Sequence, residues 1–506
     1  MAAIRSGALR DRSITVLGLA RSGVALARFL ADAGARVTIY DNRPAAELTD
    51  AIEALGGRRV ALELGPSIVP AASWAGASLV AASPSISPDY PTTEPRLRAA
   101  LQLLRAARAR GDPSVPAMVS EADLFLRLCP APTIGVTGTK GKTTTASLIA
   151  AILTADPSHP VVLGGNIGSP LIERLPELTA GHRVVDELSE LQLPTLSQGT
   201  TVAVYTNVTS DHLDRHGSLD DYRQVKRRLA ELVDGDGALV LNGEDPVVAG
   251  YAGLGIAPSV LYRRDRPTAG GLGVVDGWIV AAGVKRLPLA GGGLAATGPG
   301  GRIMPTGELA IPGAHNVSNA LAAIAAGLLF GVAPDAIREA AASFTGVEHR
   351  LEPVALIDGV RFVNDSMGTQ PDAVVAALRA FDGPIVLIAG GRDKGTDLSS
   401  LARVVAERAV AAVVIGESGP ALGASFRAAG LGRIEPADDL DDAVRRADAI
   451  AREALATGDP GAGPATVLLS PAAASFDMFT DYASRGRAFK AAVAALAARR
   501  SGADRR

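Results

Sequence analysis

One short stretch constrains the fold more than any other. Thr137-Gly138-Thr139-Lys140-Gly141-Lys142-Thr143-Thr144-Thr145 lies between a strand-like apolar run (Thr133-Ile134-Gly135-Val136) and a helix-like one (Ala146 to Leu153). A glycine loop leading from a strand into a helix cradles polyphosphate. Its glycines let backbone N–H groups close around the anion, and the helix N-terminus adds partial positive charge. Lys142 is placed to reach the outer phosphates, and Thr143 to offer its hydroxyl to Mg²⁺. The general pattern asks for a glycine where Val136 stands, so the loop is shortened and starts at Gly138. A glycine turn with a chance Lys-Thr after it is the bland alternative; ATP binding is the expectation.

The remainder of the chain fits that local geometry. Residues 13–17 read as a strand, 21–33 as a helix and 36–40 as a second strand ending at Asp41. The turn between them, Gly18-Leu19-Ala20-Arg21-Ser22-Gly23, has dinucleotide-fingerprint spacing, but Ala20 replaces the middle glycine. An ordinary tight turn is an equal alternative there. At 506 residues the chain has room for about three domains of ~150 residues. A Pro/Gly-rich stretch at 111–116 and a break near Gly346 divide it into 1–118, 119–346 and 347–506. Strand-like runs at 183–186, 201–206, 360–363, 384–389, 411–415 and 465–469 alternate with helical patterns. That alternation predicts an α/β protein with mostly parallel sheets. Residues 264–301 are glycine-rich and read as hairpins or exposed loops, and a helix at 316–330 closes the second unit.

Composition narrows the class. Hydrophobic residues make up 47% but aromatics only 4%, so alanine and valine carry much of the packing. A formal charge of −3 offers no electrostatic case for nucleic acid or an anionic membrane. Cys129 is the single cysteine, which excludes an intramolecular disulfide framework and a Cys-cluster metal site. The longest apolar stretches, 146–153 and 320–334, fall short of the ~20 residues a membrane span needs. The charged N-terminus lacks a signal-peptide core. A cytoplasmic protein is expected.

Further polar groups fall at predicted strand ends, where open α/β sheets place their ligands. Glu187 follows the run 183–186 and is placed like a metal-binding carboxylate; a surface acid is the alternative. Asn207, Asp211 and His212 crowd together after 201–206, with a solvated loop as the bland alternative. Ser218-Leu219-Asp220-Asp221 resembles a capping box. In the helix it would start, Lys226 shares the apolar stripe of Tyr222, Leu229 and Val233. Either the lysine snorkels to the surface, or burial lowers its amine pKa and readies it for chemistry. In the third unit Asn364-Asp365-Ser366, Gly390-Gly391-Arg392-Asp393-Lys394-Gly395 and Ser470 to Ser475 each follow a strand. Each alone reads equally as a turn; three polar loops at one sheet edge suggest a second substrate site.

Taken together, Thr-Gly-Thr-Lys-Gly-Lys-Thr, Gly164-Gly165-Asn166-Ile167-Gly168, Glu187-Leu-Ser-Glu-Leu-Gln192 and Asn207-Val-Thr-Ser-Asp-His212 resemble the Mur ligases, the ATP-dependent amide-forming family of peptidoglycan precursor synthesis. Lys226, Gly313-Ala-His315-Asn316-Val-Ser-Asn319, His349-Arg350-Leu-Glu352, Asn364-Asp365-Ser366 and Gly390-Gly-Arg-Asp-Lys394-Gly match too. The Gly18–Gly23 turn and Ser470-Pro-Ala-Ala-Ala-Ser-Phe-Asp point to the branch that joins D-glutamate to UDP-N-acetylmuramoyl-L-alanine.

The resemblance implies a Rossmann-like UDP-binding domain, a P-loop-type ATPase domain and a Rossmann-like amino-acid-binding domain, in a protein expected to be monomeric. It places UDP on Gly18, Leu19, Ala20, Arg21, Ser22, Gly23, Asp41, Asn42, Arg43, Ser83 and Asn166. It places ATP on Gly138, Thr139, Lys140, Gly141, Lys142, Thr143, Thr144, Asn316, Asn319, Arg350 and Asp365. Two Mg²⁺ sites would involve Thr143, Glu187, His212 and Lys226, with Lys226 carbamylated by CO₂. Lys142, Glu187, His212 and Lys226 would be the catalytic set.

Two departures concern the amino acid. Met367-Gly368 stands where these ligases usually have Lys-Ala, and Asp481-Tyr482-Ala483 where they have Asn-Phe-Glu. Thr369, Lys394, Ser475 and Tyr482 remain as candidate contacts. The alternatives are addition of L-glutamate or another amino acid, a folylpolyglutamate-type ligase, a NAD-dependent oxidoreductase, and a non-catalytic nucleotide-binding regulator.

Overall fold

The computed structural model describes residues 7–209, 218–288, 292–311, 313–392, 398–457 and 463–503. Contacts divide the chain into two compact units, 1–344 and 345–506.

Two sheets build the first unit. One joins β1 (Ser13–Leu17), β2 (Arg36–Asp41), β3 (Val60–Leu64), β4 (Leu79–Ala82) and β5 (Ala117–Ser120) in the order β3-β2-β1-β4-β5, every pair parallel. The other holds β6 (Thr133–Thr137), β7 (Val161–Gly165), β8 (Arg183–Glu187), β9 (Val202–Tyr205), β10 (Ala238–Asn242), β11 (Ser259–Tyr262), β12 (Leu272–Val275), β13 (Trp278–Ala281) and β14 (Arg302–Pro305). Its order is β14-β13-β12-β11-β10-β9-β6-β8-β7. Pairing is parallel from β7 to β12; the glycine-rich segment holds β12 and the antiparallel β13, and the antiparallel β14 follows it.

The expected boundary at 118/119 falls inside β5. Just beyond it, Ser120 caps the helix Glu121–Leu128 by accepting from Asp123 N, and residues 121–126 of that helix are buried. Leu124, Phe125 and Leu126 belong to one apolar cluster with Val24 and Leu30 from the first sheet's layer and Leu171, Leu175 and Leu188 from the second. Continuous packing of this kind leaves no seam there.

Alanine does much of the packing in the nine-stranded layer. The helix Ala314–Leu329 buries every residue from Asn319 onward. It lies so close to the helix Lys142–Thr154 that a Cβ on Gly327 would come within 2.5 Å of Ile152 Cγ2. The predicted helix at 316–330 is therefore present, but a further helix, Pro334–Ser343, ends the unit.

The second unit carries β15 (Glu352–Ile357), β16 (Val360–Asn364), β17 (Ile385–Gly390), β18 (Ala411–Ile415), β19 (Ile434–Pro436) and β20 (Ala465–Leu469), in the order β15-β16-β20-β17-β18-β19. Only the β15–β16 pair is antiparallel among these described strands. Among the described residues no helix is long and apolar enough to cross a membrane.

Candidate active site

The phosphate loop leaves β6 at Thr137 and enters the helix at Lys142. Gly138 (φ 144°) and Gly141 (φ 86°) both adopt backbone conformations that favour glycine. Space demands it as well: a Cβ on Gly138 would stand 2.0 Å from Thr206 Oγ1, and one on Gly141 2.6 Å from Asn319 Oδ1. The Asn207 side chain braces the loop from outside, accepting from Lys140 N (2.9 Å) and donating to Lys140 O (2.9 Å). Lys142 Nζ donates to Gly138 O and Thr139 O, both at 3.0 Å, so its amine folds over the loop. Thr143 is buried and Thr144 half-buried in the first turn. Asn319 Nδ2 donates to Asn316 Oδ1 (3.1 Å), which joins the two predicted asparagines beside Gly141.

Lys226 does not snorkel. Ser218 caps its helix, Leu219–Leu232, by accepting from Asp221 N, and the lysine is 0% exposed. Its Nζ donates to Thr137 Oγ1 (3.2 Å) and Gly138 O (3.1 Å), and it stands 5.5 Å from the centroid of the Tyr222 ring. Tyr222 Oη in turn meets Thr139 Oγ1 at 2.9 Å. The stripe that looked apolar therefore carries an amine and a phenol to the underside of the phosphate loop. Tyr222 was legible only as packing, because a tyrosine at helical spacing looks the same whether its hydroxyl is used or idle.

Glu187 ends β8, 2% exposed. Its Oε1 accepts from Asn166 Nδ2 (2.9 Å), while Oε2 is buried with no hydrogen-bond partner among the described residues. A buried carboxylate oxygen left open beside a phosphate-loop sheet is suited to a cation. The backbone of the same asparagine segment takes Arg21, which donates to Asn166 O (3.3 Å) and Gly168 O (2.9 Å). The turn of the first sheet is thereby tied to the loop facing Glu187. Among the described residues no three His, Cys, Asp or Glu side chains cluster as a metal site. His212 lies outside the described residues, as does Lys394.

At the first sheet, Gly23 is obligatory, since a Cβ there would lie 1.8 Å from Gly18 O. Asp41 Oδ2 accepts from Leu19 N (2.8 Å) and Arg43 Nη2 (2.8 Å), and Oδ1 from Arg43 N and Nε (3.0 Å each). Burial opposes ionisation of Asp41, but Arg43 and the two amides outweigh it and hold the carboxyl below its ordinary range. A cavity of about 360 Å³ opens here, lined by Gly18, Tyr40, Asp41, Asn42, Thr93 and Glu94 among others. Tyr40 Oη and Ser83 Oγ are buried without a partner among the described residues. Tyr40 and the 92–94 turn carried no sequence signal, because nothing in their spacing marks them as facing the Gly18 turn.

In the second unit, Arg350 sits between His349 (φ 64°) and Leu351 (φ 45°), both left-handed. Strain of this kind persists only where surroundings hold it, and it clusters at functional sites. Here Glu352 Oε2 accepts from His349 N (2.9 Å), and Asp365 Oδ1 accepts from Leu351 N (3.2 Å). Ser470 Oγ donates to Asp365 Oδ2 (2.6 Å). Burial pushes Asp365 up to about 6 against these bonds and Arg350. Asn364 Nδ2 meets His349 Nδ1 at 2.9 Å; burial holds that imidazole below its ordinary value although Glu348 and Glu352 oppose. Thr369 N donates to Met367 O (2.8 Å), Ser475 is buried, and Tyr482 starts the last helix with its ring edge-on to His349.

The comparisons agree along the chain. Residues 136–327 match the Mur ligase middle domain, and residues 349–472 match the Mur ligase, glutamate ligase domain. A UDP-N-acetylmuramoylalanine--D-glutamate ligase of Symbiobacterium thermophilum is 39% identical over 493 residues, covering 96% of this chain and 99% of that protein. Ligases of the same name from Pelotomaculum thermopropionicum (38% over 491 residues; 96% and 98% covered) and a Roseiflexus species (37% over 494; 94% and 97%) are similarly close.

Proposed function

Because this chain belongs to the Mur ligase family, we propose that it joins D-glutamate to UDP-N-acetylmuramoyl-L-alanine at the expense of ATP, a cytoplasmic step of peptidoglycan precursor synthesis. The observation that carries the chemistry is the buried Lys226 amine against the base of the phosphate loop. A NAD-dependent oxidoreductase gives neither that lysine nor the loop any task. Full-length likeness to D-glutamate ligases supports the substrate reading.

In this reading the three sheets correspond to three functional domains, the first closing with β5 rather than at 118/119 within it. The cavity beside Gly18 and Asp41 takes the UDP group, whose polar atoms would satisfy Tyr40 Oη and Ser83 Oγ. The loop 138–144 takes the ATP phosphates through its backbone N–H groups. Lys142 leaves its carbonyl partners for the outer phosphates. The open oxygen of Glu187 and the Thr143 hydroxyl fit Mg²⁺, which would supply neutralising charge to the phosphates. Carbamylated Lys226 would give that metal a further carboxylate-like oxygen. Nucleophilic attack of a neutral amine on CO₂ is favoured where burial discourages protonation.

A carboxylate is a poor acyl donor. Its oxygen therefore attacks the γ-phosphorus, the bond to the bridging oxygen breaks, and ADP leaves an acyl phosphate on the L-alanyl group. The glutamate amine attacks the acyl carbon, loses a proton, and phosphate departs as the amide forms. Positioning and charge stabilisation by the loop and Lys142 are the chain's main contributions.

Met367 and Tyr482 keep the same chemistry with a different amino acid as a second reading. Phosphate release from ATP and UDP-N-acetylmuramoyl-L-alanine, measured across a panel of amino acids, decides between them. Product with another residue and none with D-glutamate refutes the substrate assignment.

A further inference from the structure

Arg485 is the largest fully buried side chain of the described residues, at 1% exposure. It lies in the first turn of the helix Tyr482–Ala503 and reaches the C-terminal ends of three neighbouring parallel strands. Nε donates to Ser366 Oγ (3.0 Å) and Nη2 to Ser366 O (3.0 Å), just beyond β16. Nη1 donates to Ala473 O (3.2 Å), beyond β20, and more weakly to Gly390 O (3.5 Å), which ends β17. The Ser366 hydroxyl then donates to Tyr482 O (2.7 Å) and returns the link to the arginine's own helix. Among the described residues no carboxylate hydrogen-bonds this guanidinium. Burial pushes it down to about 10, with Asp477 opposing.

Burying a guanidinium among neutral oxygens is expensive, and a packed apolar side chain would hold a core at lower cost. What only the planar fork supplies is several donors at fixed angles. The loops it grips carry Thr369 and Ser475, and its own helix begins at Tyr482, whose carbonyl the Ser366 hydroxyl holds; these are the described candidates for contact with the amino acid.

We propose that Arg485 is a positioning residue for the incoming amino acid, holding the 366–369, 390–391 and 473–475 loops in the register that binds it. The inference rests on the reading that the amino acid enters at this sheet end. It assigns the work of organising that end to a residue deep in the packing, where the loop itself offers Met367 in place of a cation.

The test compares Arg485→Gln, Arg485→Lys and Ser366→Ala with the wild-type chain, measuring KM for each of the three substrates, kcat and the thermal midpoint. Arg485→Gln is expected to raise KM for D-glutamate about tenfold, the scale of one or two charge-assisted hydrogen bonds. KM for ATP and for the muramoyl nucleotide should stay within about twofold. Arg485→Lys keeps charge but spans fewer loops, so it should fall between. Unchanged KM for D-glutamate, or parallel deterioration for all three substrates, overturns the proposal. If the Gln variant is insoluble, the Lys and Ser366→Ala proteins decide. Each must raise the amino-acid KM selectively, and an unchanged value in either refutes the idea. A wild-type chain that uses another amino acid instead sinks the substrate reading alone, and the same comparison is then made with that amino acid.

Discussion

Lys226 Nζ stands 3.2 Å from Thr137 Oγ1, and that hydroxyl donates to Leu188 O (2.9 Å), the residue following Glu187. One threonine thus links the buried lysine, the start of the phosphate loop and the strand end that carries the candidate metal carboxylate. Lys226→Ala should lower kcat by about a hundredfold or more, as loss of a group that orients a metal site does. Bicarbonate, small enough to enter the vacated space as a carboxylate-like anion, should restore part of the rate. Full activity in the variant without addition assigns the lysine a structural role only.

Gly138→Ala should weaken ATP binding more than tenfold and cost about 1–3 kcal/mol of stability, from backbone strain and forced repacking. The Cβ would meet Thr206 Oγ1 at 2.0 Å, whereas at Gly307 it would meet nothing within 4 Å. Gly307→Ala is therefore the matched control. Calorimetric ATP titration and denaturant midpoints compare the two; equal behaviour contradicts the loop geometry.

Asp41→Asn should raise KM for the muramoyl nucleotide about tenfold, because three bonds from Arg43 (two from its guanidinium, one from its amide) and one from Leu19 N lose their charged acceptor. KM for ATP should hardly move. An Asn variant with wild-type KM for both would remove Asp41 from the binding surface.

Glu121 carries a pH signature. Burial pushes its carboxyl from 4.5 up to about 7, with Ile172 N and Arg21 opposing and Glu173 adding. A raised folded-state value means the folded chain keeps a proton that the unfolded chain releases. The contribution is complete below about 4.5 and disappears as pH rises through 7. The slope reaches about 1.4 kcal/mol per pH unit at its steepest. Asp186 is shifted the same way by burial and by Glu121 and Glu187. Glu121→Gln should therefore flatten the urea midpoint between pH 4.5 and 7; a curve as steep as wild type rules this origin out.

Local chemistry was legible because it is written in consecutive residues. The glycine turn from β6 into the helix at Lys142, the Ser218 cap and the turn Gly18–Gly23 depend on neighbours in the chain, and each appears where its pattern predicts. The Lys226 stripe was legible as an anomaly but not as an answer. Periodicity puts an amine on a buried face without saying what it meets there. His212 and Lys394, both expected at the site, lie outside the described residues.

By itself, the order of residues determined the alternation of strand and helix, the glycine turn at 138–141 and the family, since each rests on short-range spacing or on residue identity along the chain. Only the tertiary structure decided that Tyr222 supports Thr139, that Tyr40 opens on the Gly18 cavity, and that Arg485 gathers three strand ends. Those partners are separated by 83 residues for Thr139 and Tyr222 and by 119 for Ser366 and Arg485. The physical reason is that hydrogen-bonding partners are chosen by how layers pack, and packing is a property of surfaces brought together, which no local pattern encodes.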